Sequence, residues 1–170
     1  MIHLSTKSAE DTRELAGVVA TMVSPGDVLL LIGDLGTGKT TFAQGFGAAL
    51  GVAEPITSPT FVLLRSYRGR LDLLHADVYR LDRLQEVVDL GLPELLDEGG
   101  VALVEWGDVA APALAPDVLE VRLAYAEGDH RRVDLRPVGR RWSDRLPSLE
   151  LAVDRWRASG RGGDLAGEGR

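Results

Sequence analysis

A glycine-rich octet, Gly33-Asp34-Leu35-Gly36-Thr37-Gly38-Lys39-Thr40, separates the unbroken apolar run Val28 to Ile32 from a segment in which Phe42, Phe46 and Leu50 recur at helical spacing. An apolar run of strand length without alternation suits a strand covered on both faces, and so the middle of an α/β sheet. Strand, glycine loop and helix in that order are the context in which GxxxxGK[ST] cradles a polyphosphate. The glycines let backbone N–H groups turn inward, and the helix start adds partial positive charge. Lys39 reaches the β and γ oxygens, and the Thr40 hydroxyl takes magnesium. Only two lysines occur, Lys7 and Lys39, against many arginines, so a lysine within the glycine loop stands out.

The remaining pattern fits an α/β chain with a mixed sheet. Ile2 and Leu4 alternate with polar residues as in an edge strand. Ser8 with Asp11 reads as a capping box, opening a helix faced by Leu15, Val18, Val19 and Met22. Gly45 and Gly47 predict close approach of the loop-following helix to the sheet, and Gly51 ends that helix. A hairpin is expected from Phe61 to Tyr67 and Leu71 to Asp77 around the turn Arg68-Gly69-Arg70, and Leu81 to Asp97 should be helical in two pieces parted at Gly91 and Pro93. Val101 to Glu105 reads as a second buried strand. Leu119 to Tyr125 and the return through Val133 and Leu135 read as an antiparallel hairpin, and Leu146 to Trp156 as a last helix. One domain over 1–157 is expected, followed by a disordered tail over 158–170, where five glycines stand among charged residues.

Composition narrows the chemistry. With no cysteine, disulfides, thiolate metal sites and cysteine nucleophiles are excluded, and a reducing compartment fits. No apolar run approaches the length of a membrane span, and the first residues lack a basic and apolar leader, so a cytoplasmic location is expected. A formal charge of −7 argues against gripping nucleic acid directly, since that affinity comes from basic side chains on phosphates. The chain contains no asparagine, which removes the asparagine-lysine-x-aspartate element that reads guanine, so ATP is the expected nucleotide.

A phosphate loop needs an acid near its metal, and two predicted strand ends supply one, Asp77 and Glu105; either can hold Mg2+ directly or through water. His75 shares a strand face with Asp77 and reads as a hydrogen-bonded polar contact or an orienting group. Thr60, in the first loop after the P-loop helix, is placed to sense the γ-phosphate and its metal, or to serve plain loop chemistry. Trp106 reads as packing at the sheet edge. Arg131, Arg132, Arg136, Arg140 and Arg141 read as a solvated face or as an electrostatic contact for a partner. A small-molecule kinase would need a second substrate pocket and an arginine lid, which the sequence does not display. A nucleotide-binding adaptor without turnover is the other alternative.

Four segments in order, Gly33 to Thr41, Ser58-Pro-Thr-Phe61, His75-Ala-Asp-Val-Tyr-Arg-Leu81 and Leu103-Val-Glu-Trp106, resemble the TsaE family, also called YjeE, from about Ile2 to Pro137. The resemblance implies a three-layer P-loop ATPase domain serving bacterial tRNA threonylcarbamoyladenosine biosynthesis. Its partners would be the transferase TsaD and its companion TsaB, with tRNA engaged through the complex. It further implies Thr40 and Glu105 as magnesium ligands, Lys39 and the loop through Thr41 as phosphate ligands, and Asp77 as required for slow, partner-stimulated hydrolysis. Thr60 would belong to a switch-like loop, and base and ribose contacts would fall near Ala9 and Arg131. Thr37 departs from the family's usual alanine, and Gly107-Asp108 from a proline-containing pair.

Overall fold

The computed structural model describes residues 1–59, 63–78, 85–86, 88–106 and 115–158. Its elements are β1 (Ile2–Thr6), α1 (Ala9–Ala20), β2 (Val28–Ile32), α2 (Lys39–Ala49), β3 (Leu64–Tyr67), β4 (Leu73–Val78), α3 (Leu92–Asp97), β5 (Val101–Trp106), β6 (Val118–Tyr125), β7 (Arg131–Val138), α4 (Arg140–Ser143) and α5 (Leu146–Ala152). A short 3-10 turn over Asp154–Trp156 follows. The strands form one seven-stranded sheet in the order β1-β7-β6-β2-β5-β4-β3. β6, β2, β5 and β4 run parallel, while β3, β7 and β1 add antiparallel margins. The apolar run over β2 thus lies in the middle, as its sequence predicts.

Strand alternation divides the core in two. One face, with Leu29, Leu31, Leu103, Val121 and Leu135, packs on Leu15 and Val19 of α1, Phe42 and Phe46 of α2, and Trp142 and Leu149 of the C-terminal helices. The other, with Leu30, Leu74, Ala76 and Val104, packs on Leu92 of α3. Over most of β6 and β7 that second face instead carries half-exposed arginines, and among the described residues only Val118 and Val138, at the ends of those strands, join the third layer.

Local signals explain the helix ends. Ser8, in extended backbone, accepts the Asp11 N–H at 3.1 Å, and the Asp11 carboxylate accepts the Lys7 N–H at 2.8 Å, one residue ahead of the cap position that a standard box would use. The break before α3 falls at Gly91 alone, at φ +94°; Pro93 sits inside the first turn, where its missing N–H costs nothing. Gly45 corrects an expectation. A Cβ there would strike the Arg13 carbonyl, so this glycine lets α2 approach α1, whereas Gly47 makes room for Ile56 and for Leu73 of the sheet. Phe61 and Val62 of the expected hairpin, and the tail beyond Ala158, lie outside the described residues; Ala158 itself donates its N–H to the His3 carbonyl at 3.1 Å.

The C-terminal helices are tied to the base of the sheet by a buried charge. Asp27, directly before β2, accepts from Arg145 at 2.7 and 2.9 Å and from the Ser24 N–H at 2.7 Å, with Arg141 at 3.1 Å. Its side chain is fully buried, while Arg141 is nearly half exposed. Removing one partner of a buried pair strands the other. Asp27→Ala is therefore expected to lower the unfolding free energy by about 3 kcal/mol, and Arg141→Ala by less than about 1 kcal/mol, measured by urea denaturation.

Candidate functional site

The loop leaving β2 is shaped by glycines at positions other residues resist. Gly36 and Gly38 have φ of +80° and +108°. At Gly33 a Cβ would sit 2.5 Å from both the Leu123 carbonyl and the Thr37 hydroxyl. Thr37, the departure from alanine, is buried, and its hydroxyl donates to the Asp34 carbonyl at 2.8 Å, stitching the loop across its base. Gly38 caps α2 without a side-chain hydrogen bond, so no cap side chain occupies the first amides of that helix. Lys39 donates from Nζ to the carbonyls of Gly33 at 2.6 Å and Asp34 at 3.0 Å, which holds its ammonium against the loop. Thr40 and Thr41 follow in the first turn of α2, both partly buried.

The acids meet this loop through the sheet. Asp77 is the register partner of Glu105, and Glu105 is the partner of Leu31, one residue before β2 ends. All three side chains therefore share the face on which α2 packs, at the strand ends from which the loop departs. Both carboxylates are less than a tenth exposed. His75 is the hydrogen-bonded polar contact that strand spacing suggests, on the face it shares with Asp77: it is fully buried, and its Nε2 lies 3.1 Å from Oε1 of Glu105 on the neighbouring strand. Carboxylates at strand ends and a hydroxyl in the first turn of α2 are hard oxygen donors, the set that suits Mg2+. Among the described residues no group of three or more His, Asp or Glu could hold a metal alone. Mg2+ does not require one, since one or two carboxylates and phosphate oxygens suffice. Thr60 lies outside the described residues.

A cavity of about 310 Å³ opens beside the loop, lined by Ser8, Ala9, Thr12, Gly36, Gly38, Thr41, Asp129 and Arg131. Ala9 and Arg131, far apart in sequence, thus face the same space as the glycine loop. Sequence reasoning missed Asp129, although it stands in the turn next to Arg131, and Tyr125. The Tyr125 hydroxyl donates to the Leu35 carbonyl at 2.9 Å, and the Arg131 guanidinium lies 4.8 Å from the centre of its ring. The remaining arginines do not form one patch. Arg132 pairs with Asp134, Arg136 with Glu120, Arg140 with Asp144, and Arg141 with Asp27.

The family model described as threonylcarbamoyl adenosine biosynthesis protein TsaE matches residues 6–133. The chain is 41% identical over 138 residues to the tRNA threonylcarbamoyladenosine biosynthesis protein TsaE of Bacillus subtilis, covering 81% of this chain and 86% of the relative. It is 40% identical over 128 residues to the protein of that name from Treponema pallidum, covering 75% and 95%. The crystal structure of YdiB from Bacillus subtilis superposes with a TM-score of 0.71 at 36% identity, covering 89% of this chain and 97% of that one.

The Tyr125 contact predicts a measurable loop effect. Tyr125→Phe deletes one hydrogen bond to the loop apex and keeps the ring beneath Arg131. Polyphosphate binding, followed by titration with a fluorescent nucleotide, should weaken by about 5-fold, the worth of one such bond.

Proposed function

This chain belongs to the TsaE family and is a component of tRNA threonylcarbamoyladenosine biosynthesis, and on that premise we propose that it hydrolyses ATP with Mg2+ and couples that cycle to a TsaD–TsaB transferase complex. One observation carries the reading: the glycine loop departs from β2 at the level where Asp77 and Glu105 stand side by side. Backbone amides from Gly33 to Thr41 and the Lys39 ammonium would hold the β- and γ-phosphates. Thr40 and Glu105 would hold Mg2+, which when bound neutralises charge developing on the transferring phosphoryl group.

Asp77, beside Glu105, is suited to orient the attacking water. Ala9 and Arg131 supply the walls for ribose and base, and Thr60 would belong to the loop that senses the γ-phosphate. Cleavage would remove the charge that orders such a loop, and with it one of two states competing for the partner. With a formal charge of −7, tRNA would be met through the complex and not by this chain alone. No helix among the described residues is long and apolar enough to cross a membrane; the proposed work on tRNA belongs in the cytoplasm.

Steady-state ATP hydrolysis with and without the transferase pair tests the proposal. Addition of the pair should raise the rate, and Lys39→Ala should lower it by at least ~100-fold, as for loss of a preorganised charge on the reacting phosphate. Turnover retained in Lys39→Ala would refute the assignment. Nucleotide binding with no turnover under either condition would identify an adaptor.

A further inference from the structure

We propose that His75 is a positioning residue for Glu105, its Nε2–H fixing the carboxylate so that Oε1 is committed to the imidazole and Oε2 is left for the cation. This rests on the reading of Glu105 as the magnesium ligand. His75 shares its sheet face with Leu73, Val101 and Leu103, all fully buried, and is itself fully buried. An aliphatic side chain would pack in that position without desolvating a polar ring, so the imidazole costs stability unless it does something else. Its described contact is the 3.1 Å bond to Glu105. A carboxylate oxygen accepts, so Nε2 must carry the proton. Nδ1 is buried without a hydrogen-bond partner among the described residues, and a proton there would have no acceptor.

The arrangement also answers a geometric need. Glu105 has rotatable bonds between its backbone and its carboxylate, and its register neighbour Asp77 carries like charge, which would push the two groups apart. A donor held rigidly in the core below one oxygen of Glu105 selects a single rotamer against that repulsion. Carboxylates that ligate metals are commonly hydrogen-bonded in this way, and losing the partner weakens metal affinity.

Two measurements on the full chain test the assignment. Nitrogen-15 spectra of the nucleotide-free protein should show the Nε2-protonated tautomer of His75; the Nδ1-protonated form would overturn it. The second measurement is the Mg2+ concentration at half-effect on binding of a fluorescent ATP analogue. It should rise about 10-fold in His75→Leu, with affinity measured without Mg2+ unchanged, and His75→Gln, whose amide can donate from the position of Nε2, should recover to within about 3-fold of the original. An unchanged Mg2+ midpoint in His75→Leu would reduce His75 to a packing residue. Glu105→Gln separates the two layers of the argument. If it too leaves the midpoint unmoved, the magnesium assignment falls and takes this one with it; if it moves the midpoint while His75→Leu does not, only the role of His75 falls. Should His75→Leu fail to fold, the tautomer decides alone.

Discussion

The parallel register of β4, β5 and β2 is the constraint on which the site depends. Leu31, Glu105 and Asp77 stand in one row across these strands. A slip of one residue in β5 would turn Glu105 to the opposite face, away from α2; a slip of two would carry it about 6.6 Å along the strand. The register is held by apolar side chains on both faces, so either slip would also bury the wrong set. It is also held at the opposite end of the sheet, where Gly26 N–H donates to the Gly100 carbonyl at 2.8 Å, Ala102 N–H to Asp27 at 2.9 Å and Val101 N–H to Asp72 at 2.8 Å. The buried Asp27 therefore does more than secure the C-terminal helices. Its backbone carbonyl sets β5 against β2, and its carboxylate is locked by Arg145.

The loop is held from two directions, one internal and one from β6. Thr37 and Lys39 tie the loop to its own carbonyls. Parallel pairing of β6 with β2 up to Ile32 and Arg122 then brings the next residues of β6 alongside, which is why the Leu123 carbonyl crowds Gly33 and the Tyr125 hydroxyl meets Leu35. The β6–β7 turn that supplies Tyr125 also supplies Asp129 and Arg131 to the neighbouring cavity. One hairpin thus touches both the glycine loop and the space beside it.

What could be read from the chain was local. The octet, the apolar run of β2, the hairpin of β6 and β7, and the acids closing β4 and β5 each declare themselves within a few residues. Strand order, register and the row of Leu31, Glu105 and Asp77 are non-local, and nothing in either segment names its neighbour. His75 shows the same limit: alternation puts it on the face of Asp77 as a hydrogen-bonded polar contact, which it is, but its partner is Glu105, the diagonal neighbour on β5, which no pattern within either strand names. Gly45 shows the limit again, since a missing side chain announces a close approach without saying to what. The arginine run divides by strand phase. Arg131 alternates in phase with buried Val133 and Leu135, whereas Arg132 and Arg136 are out of phase, so division between the two faces was already implied by the strand pattern.

Placing two carboxylates in adjoining strands, each less than a tenth exposed, works against folding, because like charges face one another where water is scarce. Below the pair, apart from His75, the same face is apolar and closely packed. Leu29, Leu31, Leu103 and Phe42 on the same face are fully buried, and the imidazole beneath Glu105 supplies one fixed donor in place of mobile solvent. Rigid surroundings have a second consequence. Under the proposed magnesium assignment, carboxylates held by such packing would meet the cation already ordered. The polar residues at these strand ends and the apolar layers around them are, on this view, parts of a single electrostatic design.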